Sequence, residues 1–481
     1  MNRLARVTAI TAGLLSLFTI AAGLAATHLL PARLALFQVP QVAQGGVAQA
    51  GGALAAAEGT ARSGAATPAG VASQLSGILA GGGLGPRYGA LVTDLATGQV
   101  LYSVNAATGF TPASTTKIAT AVAALHVLGP AARFTTTVRQ GASAGQIVLD
   151  GGGDPTLSAG PFPAGSYPQP ASLSELAGAA AARLKAKGVT TVSLAYYDGL
   201  LGGPVQAPGW PAFGAADNYI ATGNVTPITG LEVDQGRLTA PGRPEDSPIQ
   251  SAQSYRSLTP SQDAAGAFAG FLRRDGISVT GTPAAASRPP SGPALAQVRS
   301  PALAQIIDWM LQQSNNVIAE TVARQVALAI GLPGTFGGAA AAVMTTDRRL
   351  GVTGIQLVDG SGLSPLDSIE PKALVGLIRL AASPSQPDLR PAITGLPVSG
   401  FSGTLAPGSF FAAFGPAGLG TISAKTGNLA IVATLAGVAH AQDGQLLAFA
   451  FMGDQLKKNG LTQAGYTLAS LATAVAGCGC R

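Results

Sequence analysis

Cysteine is nearly missing from this 481-residue chain: Cys478 and Cys480, in the terminal CGCR, are the only two. Histidine is scarce as well, with His28, His126 and His440 alone. Two thiols and three imidazoles so far apart make a zinc site improbable, and neither a metal nor another cofactor is expected. The two cysteines read either as a strained local or intermolecular disulfide in an oxidising compartment, or as two inert residues on a frayed tail. Charge is low too, 10% of residues against 47% hydrophobic ones, with 65 glycines and 33 prolines. The net charge of +6 comes from 28 scattered basic residues against 22 acidic ones. No basic run interleaves with aromatics, so a nucleic-acid partner is not expected. A mild attraction to anionic surfaces or substrates is the simpler reading.

What the chain does have begins at its N-terminus. Arg3 and Arg6 precede a stretch from Val7 to Ala32 without a charged side chain. A basic segment followed by an apolar one marks residues 1–30 as an export signal peptide or an uncleaved membrane anchor. The arginines on the leading side predict an exported remainder, on the cell-wall side of the membrane. Residues 31–70 are Ala/Gly/Gln-rich and poor in large apolar side chains, which reads as a flexible linker.

Order is expected from about Val71. YGALVTDLATGQVLYSVN (88–105) has two β-rich runs around Ala96-Thr97-Gly98, a hairpin pattern. TPASTTKIATAVAALHVLG follows as a buried helix ended by Gly129-Pro130. Between about 141 and 295, proline and glycine rise, and helices such as SLSELAGAAAARLKAK alternate with strands such as GVTTVSLAYYD. This reads as an inserted α/β region that splits a larger domain into 71–140 and 296–481. Strong helices follow residue 300, then ISAKTGNLAIVATLAGVAH and GQLLAFAFMG as adjacent antiparallel strands, then a final helix.

A serine nucleophile needs a base within hydrogen-bond reach. His28 lies in the N-terminal segment and His126 in an apolar helix, which leaves His440 for any Ser-His-Asp triad. GASAG (141–145) matches the G-x-S-x-G elbow around Ser143, but a strand, QIVLD, follows it where the elbow requires a helix. A hairpin turn is the better reading. The other base is lysine. Ser114 and Lys117 stand three apart at a helix start, one turn apart on one face. A buried lysine loses pKa by desolvation and then accepts a proton. The pair alone is not specific: Ser114 reads equally as an N-cap. Ser314-Asn315-Asn316 lies between helical runs, and Lys425-Thr426-Gly427 closes a predicted strand. A cation, a hydroxyl and a position without a side chain there suit a carboxylate ligand.

Ser114-x-x-Lys117, Ser314-x-Asn316 and Lys425-Thr426-Gly427, in that order, resemble the signature of penicillin-binding proteins and serine β-lactamases. LDGGGDPTL, SNNVIAETVARQVA, DGSGLS, LPVSGFSGTL and AKTGNLAIVATLAG resemble more narrowly the low-molecular-mass class C penicillin-binding proteins, which are D-alanyl-D-alanine carboxypeptidases and endopeptidases. The terminal CGC is similar to actinobacterial members. The resemblance implies an α/β (α+β) fold, with a five-stranded antiparallel sheet flanked by helices and an inserted domain between the first and second motifs. It implies peptidoglycan stem peptides as substrates and β-lactam antibiotics as covalent inhibitors. Ser114 would be the nucleophile, Lys117 its base and Ser314 a proton relay. Asn316 would hold the substrate amide, and Lys425 and Thr426 its carboxylate beside Gly427. The N–H groups of Ser114 and Asn428 would form the oxyanion hole. Asp198, in AYYDGLL, stands as the reader of the substrate side-chain ammonium, while Asp154 and Asp359 read as structural braces. The resemblance leaves a serine β-lactamase and a catalytically silent binding module as alternatives, although no E-x-x-L-N deacylation motif is evident.

Overall fold

The computed structural model describes residues 66–481 except 144, 213, 214, 216, 239–255, 410, 480 and 481. The expected signal or anchor segment, residues 31–65 of the expected linker and Cys480 lie outside the described residues. Cys478 is disulfide-bonded. Among the described residues no helix is long and apolar enough to cross a membrane.

The first described element is helix α1 (Pro68–Ala80), which starts earlier than Val71 because Thr67 caps it: the threonine hydroxyl accepts from Gly70 N. Strands β1 (Tyr88–Asp94) and β2 (Val100–Val104) form the expected hairpin. A short 3-10 turn, Ala113–Thr115, leads into α2 (Thr116–Leu128). Gly129, at φ 81°, ends that helix in a conformation that glycine adopts at little cost. After α2 the chain leaves for a second sheet and returns at residue 300. The two crossings touch: Phe134 N donates to Ser300 Oγ and Ser300 N to Phe134 O, both at 2.9 Å.

The second sheet holds β3 (Thr135–Gln140), β4 (Gln146–Asp150), β5 (Thr191–Tyr197), β6 (Ser278–Ala285) and β7 (Ala294–Arg299), in the order β6-β5-β4-β3-β7. Helices α3 (Leu173–Ala186) and α4 (Pro260–Arg274) connect its parallel strands. These crossovers are the helical connections that parallel pairing requires. The sheet extends past the expected 141–295 segment at both ends, since β3 pairs with β7 from Thr135↔Arg299. Its core joins Leu176, Leu184, Phe268 and Leu272 to Val138, Leu149 and Leu194.

From residue 300 come α5 (Leu303–Gln312), α6 (Asn316–Ala329), α7 (Phe336–Arg349), the two-residue strands β8 (Ile355–Gln356) and β9 (Ser368–Ile369), and α8 (Pro371–Ala382). The chain then completes the first sheet with β10 (Ile422–Leu429), β11 (Val432–His440) and β12 (Leu446–Gly453), and ends in α9 (Leu461–Ala476). The order is β10-β11-β12-β1-β2, antiparallel throughout. ISAKTGNLAIVATLAGVAH is thus two strands rather than one, turning at Ala430-Ile431. Lys425-Thr426-Gly427 consequently lies inside β10 and does not close it. Strand β12 is buried along its whole length and β11 at every position but His440. Such unbroken apolar runs mark a sheet covered on both faces. Helices α9 and α1 cover one face, with Leu75, Leu468 and Val475 against Phe449 and Phe451. Helix α8 packs on β1 and β12.

Leu468 is fully buried in that core, whereas Val100 on β2 is 51% exposed. Leu468→Ala should destabilise the protein by about 2–5 kcal/mol. The check is the thermal-unfolding midpoint, which Val100→Ala should leave almost unmoved.

Candidate active site

The turn before α2 is held under strain against the first sheet. Ala113 sits at φ 47°, a left-handed conformation that costs a non-glycine residue about 1 kcal/mol or more. The Pro112 carbonyl accepts from Thr115 Oγ1 and, across the sheet, from Thr434 Oγ1, each at 2.7 Å. This clamp fixes the next residue, Ser114. Helix α2 has no side-chain cap bond, and its N-cap position falls on Thr115. Ser114 is therefore not a capping serine. Its Oγ lies 2.9 Å from Lys117 Nζ.

Lys117 is fully buried. Its Nζ also lies 2.7 Å from Asn316 Oδ1 and 2.7 Å from the Ser361 carbonyl. The amide of Asn316 is oriented without ambiguity, because its Nδ2 donates to the Asn224 carbonyl at 2.9 Å. Both Asn316 Oδ1 and Ser361 O can only accept. A neutral amine has two N–H groups, which these two oxygens take up. Its lone pair then faces the Ser114 hydroxyl. Burial lowers the Lys117 pKa to about 7, against the opposing charges of Asp359, Glu320 and Asp367.

The Ser314-Asn315-Asn316 turn joins α5 to α6. Ser314 takes a left-handed φ of 53°. Asn315 caps α6, its Oδ1 accepting from Ile318 N at 3.0 Å while its Nδ2 donates to Gln235 Oε1 at 2.8 Å. It therefore points into the protein, which frees its neighbours to face the cleft. Asn316 is engaged by Lys117 and Asn224, so its side chain orients the lysine.

The opposite wall is β10. Lys425 is fully buried, its Nζ donating to Thr426 O at 2.8 Å and lying 3.4 Å from Thr426 Oγ1. Burial and the nearby Lys117 hold its pKa well below the ordinary lysine value. Thr426 Oγ1 donates to Thr404 Oγ1 at 2.8 Å. Gly427 passes directly under the nucleophile turn: a Cβ there would lie 2.7 Å from Pro112 O and 3.0 Å from Ser114 N, and would collide with Thr434 Oγ1. The register fixes the backbone. His440 N donates to Thr421 O, and Ala424 N donates outward to Pro397 O. Residues 423, 425 and 427 thus bond to β11, while the N–H groups of 424, 426 and 428 face the outer edge, which residues 397–399 occupy only as far as Ala424. The Asn428 N–H is turned to meet a ligand on the side where Ser114 stands.

Behind Lys117 lies the DGSGLS loop. Asp359 accepts from Ser361 N, Gly362 N and Ser364 N, which bears out its role as a brace. Glu320, fully buried on α6, accepts from Gly360 N and from Ser361 N at 2.8 Å. Sequence reasoning missed Glu320, although a lone acid inside the apolar run NVIAETVARQV was a signal. Thr434 and the Asn224 carbonyl left no such mark. Asp154 braces its own turn through Thr156 N and Oγ1, as expected. Ser143 is exposed in the β3–β4 turn, where Gly141 N donates to Gln146 O. His440 lies six residues beyond Thr434 on β11, roughly 20 Å along a strand, and cannot serve Ser114. His126 does not sit in the core but is exposed in the last turn of α2. Asp198 follows β5, its carbonyl accepting from Gly230 N. Among the described residues no hydrogen bond joins it to the Ser114–Lys117 cluster.

A serine held by a strained turn before a helix, a buried lysine beside it and a glycine-containing edge strand opposite define a penicillin-binding type of serine hydrolase site. The solved structure of penicillin binding protein 4 from Haemophilus influenzae has this fold: TM-score 0.64 at 20% identity, over 83% of this chain and 98% of that one. The same protein complexed with a β-lactam aligns with TM-score 0.58 at 23% identity, over 82% and 98%. The chain belongs to the D-Ala-D-Ala carboxypeptidase 3 (S13) family, which it matches over residues 71–246 and 232–475. It is 36% identical to a carboxypeptidase of Mycobacterium tuberculosis, over 86% of each chain. Identity to the carboxypeptidase DacB of Mycolicibacterium smegmatis is also 36%, over 86% of this chain and 85% of the relative.

Gly427→Ala tests the fit of the two walls. The added methyl should push β10 off the Ser114 turn and separate the Ser114 and Asn428 N–H groups, slowing acylation about a hundredfold or more with the fold retained. Rates of β-lactam acylation and circular dichroism check this together.

Proposed function

We propose that this chain is a serine D-alanyl-D-alanine carboxypeptidase and endopeptidase that works on peptidoglycan stem peptides through an acyl-enzyme on Ser114. The observation that carries the reading is the set of three partners around Lys117 Nζ, two obligate acceptors and the Ser114 hydroxyl. In the reading, Ser114 Oγ attacks the penultimate D-Ala carbonyl and its proton passes to Lys117. The N–H groups of Ser114 and Asn428 receive the oxyanion. The C–N bond breaks, Ser314 relays a proton to the leaving amine, and D-Ala departs. Water then attacks the ester and restores the Ser114 hydroxyl. In a cross-linked substrate the leaving amine belongs to the neighbouring stem, which is the endopeptidase reaction.

Lys425 and Thr426 are the proposed carboxylate clamp. The charge of Lys117 is felt at the buried Lys425, and the oxygens that Lys425 meets are the carbonyl and hydroxyl of Thr426 rather than a carboxylate. An incoming terminal carboxylate supplies the missing negative charge and restores the favourable state of a buried ammonium. A β-lactam offers the same carboxylate and a strained amide, but its leaving amine stays tethered, so the ester persists. The β-lactam complex of the Haemophilus influenzae neighbour and the carboxypeptidase names of the relatives support this reading. Export by the N-terminal segment would deliver the enzyme to the cell wall, where its substrate is.

Ser114→Ala should abolish both covalent labelling by a fluorescent penicillin and release of D-Ala from a stem pentapeptide; undiminished labelling would refute the assignment. The acylation rate should depend on pH through Lys117, which acts only when unprotonated. The rate should climb about tenfold per pH unit below about 7 and level off above it. Lys117→Met should lower the plateau by about a hundredfold or more.

A further inference from the structure

Both acceptors that orient Lys117 are themselves held by a stretch of the insertion. After β5 the chain does not stay with the second sheet. Leu201, Trp210, Ile220, Val225 and Ile228 pack instead against Val317 of α6, Phe336 of α7 and Leu363 of the DGSGLS loop. Asn224 lies here, and its carbonyl fixes the Asn316 amide. Arg256 steadies the preceding peptide, its Nε donating to Gly223 O at 3.0 Å. Ser361 O, the second acceptor, belongs to the loop built around Asp359. Three of the donors to that carboxylate are backbone amides of the loop, and a fourth is Trp210 Nε1, 2.8 Å from Oδ2. The loop answers through Ser364 Oγ, which donates to Pro208 O at 2.7 Å. The Trp210 ring is fixed edge-on by Phe336, at 5.2 Å between centroids, and by Tyr219, at 5.9 Å. Arg324 lies over the Phe336 ring and donates to Gly202 O.

We infer that Trp210 is a positioning residue for acylation, an inference that rests on Lys117 being the base. Its indole N–H holds Asp359, and Asp359 holds the loop whose Ser361 carbonyl binds Lys117. The insertion is then part of the catalytic device. Losing this one donor frees the carboxylate to move and the Ser361 peptide to turn. The Nζ–Ser361 bond weakens, and the amine's lone pair is no longer aimed at Ser114.

The test replaces only the donor. Trp210→Phe removes the N–H and part of the ring. Placing 3-benzothienylalanine at position 210 keeps the bicyclic shape and exchanges N–H for sulfur, so it addresses a folding failure of the first variant. In the full chain, the rate of Ser114 acylation by a fluorescent penicillin is measured from pH 5 to 9, with the thermal-unfolding midpoint beside it. Charged groups around Lys117 are Asp359, Glu320 and Asp367, which support its protonated form, and Lys425, which opposes it. Slackening Asp359 weakens the support. We expect the acylation plateau to fall about tenfold or more and the acid limb to move down by about half a pH unit, with penicillin affinity nearly unchanged. A plateau within twofold of wild type and an unmoved limb in the benzothienylalanine protein would overturn the inference. A lower plateau with an unmoved limb would also overturn it, since loose packing alone does that. If wild-type protein fails to label at Ser114, the fault lies in the proposed function and the positioning role goes with it.

Discussion

A lysine stripped of water beside a serine is the constraint around which the rest of this molecule is arranged. Lys117 comes from α2, and burial lowers its pKa to about 7. That shift alone makes no base, because a neutral amine must also point its lone pair somewhere useful. The direction is set by Asn316 Oδ1 and Ser361 O, which occupy the two N–H groups and leave the third direction for Ser114. Each acceptor has its own support: the Asn224 carbonyl for one, Glu320 and Asp359 for the other. A largely buried, hydrogen-bonded network of this kind is stiff, since each buried member left unpaired would cost its desolvation.

The two-sheet architecture follows from that need. An antiparallel sheet covered on both faces supplies a rigid strand, β10, whose outer edge is taken by residues 397–399 as far as Ala424 and is the proposed peptide edge beyond it. The strained Ala113 turn is locked onto this sheet by the Pro112–Thr434 contact. The helices after residue 300 bring Asn316 and the DGSGLS loop to the far side of Lys117. The insertion begins and ends at one point, Phe134 and Ser300, so it interrupts the first domain without parting its halves. Its returning segment then closes over α6 and α7.

Much of this was legible in the amino-acid sequence. The β1–β2 hairpin, the apolar α2 ended by Gly129 and the late strands follow from local patterning. The three motifs named the site because their chemistry is bound to residue types at fixed spacings. Other features escaped for a physical reason. The break between β10 and β11 at Ala430-Ile431 carries no glycine, proline or asparagine to mark it. The pairing of β3 with β7 sets Val138 opposite Ala296, from the far end of the insertion, and leaves no local trace. Asn224 acts through its backbone carbonyl, which any residue has. Trp210 is ordinary in its own segment and becomes informative only when the fold sets it against Asp359, and Glu320, a lone acid in an apolar run, gains its role only beside Ser361.

The protonation of Lys117 can be watched directly. In protein labelled with ¹³C at lysine Cε, the chain's seven lysines give seven resonances to follow with pH. One of them should titrate near pH 7 and vanish in Lys117→Met, apart from the Lys425 signal, which should also titrate below the ordinary lysine range. A Lys117 resonance that stays protonated until about pH 10, as an exposed lysine does, would contradict the account at its centre.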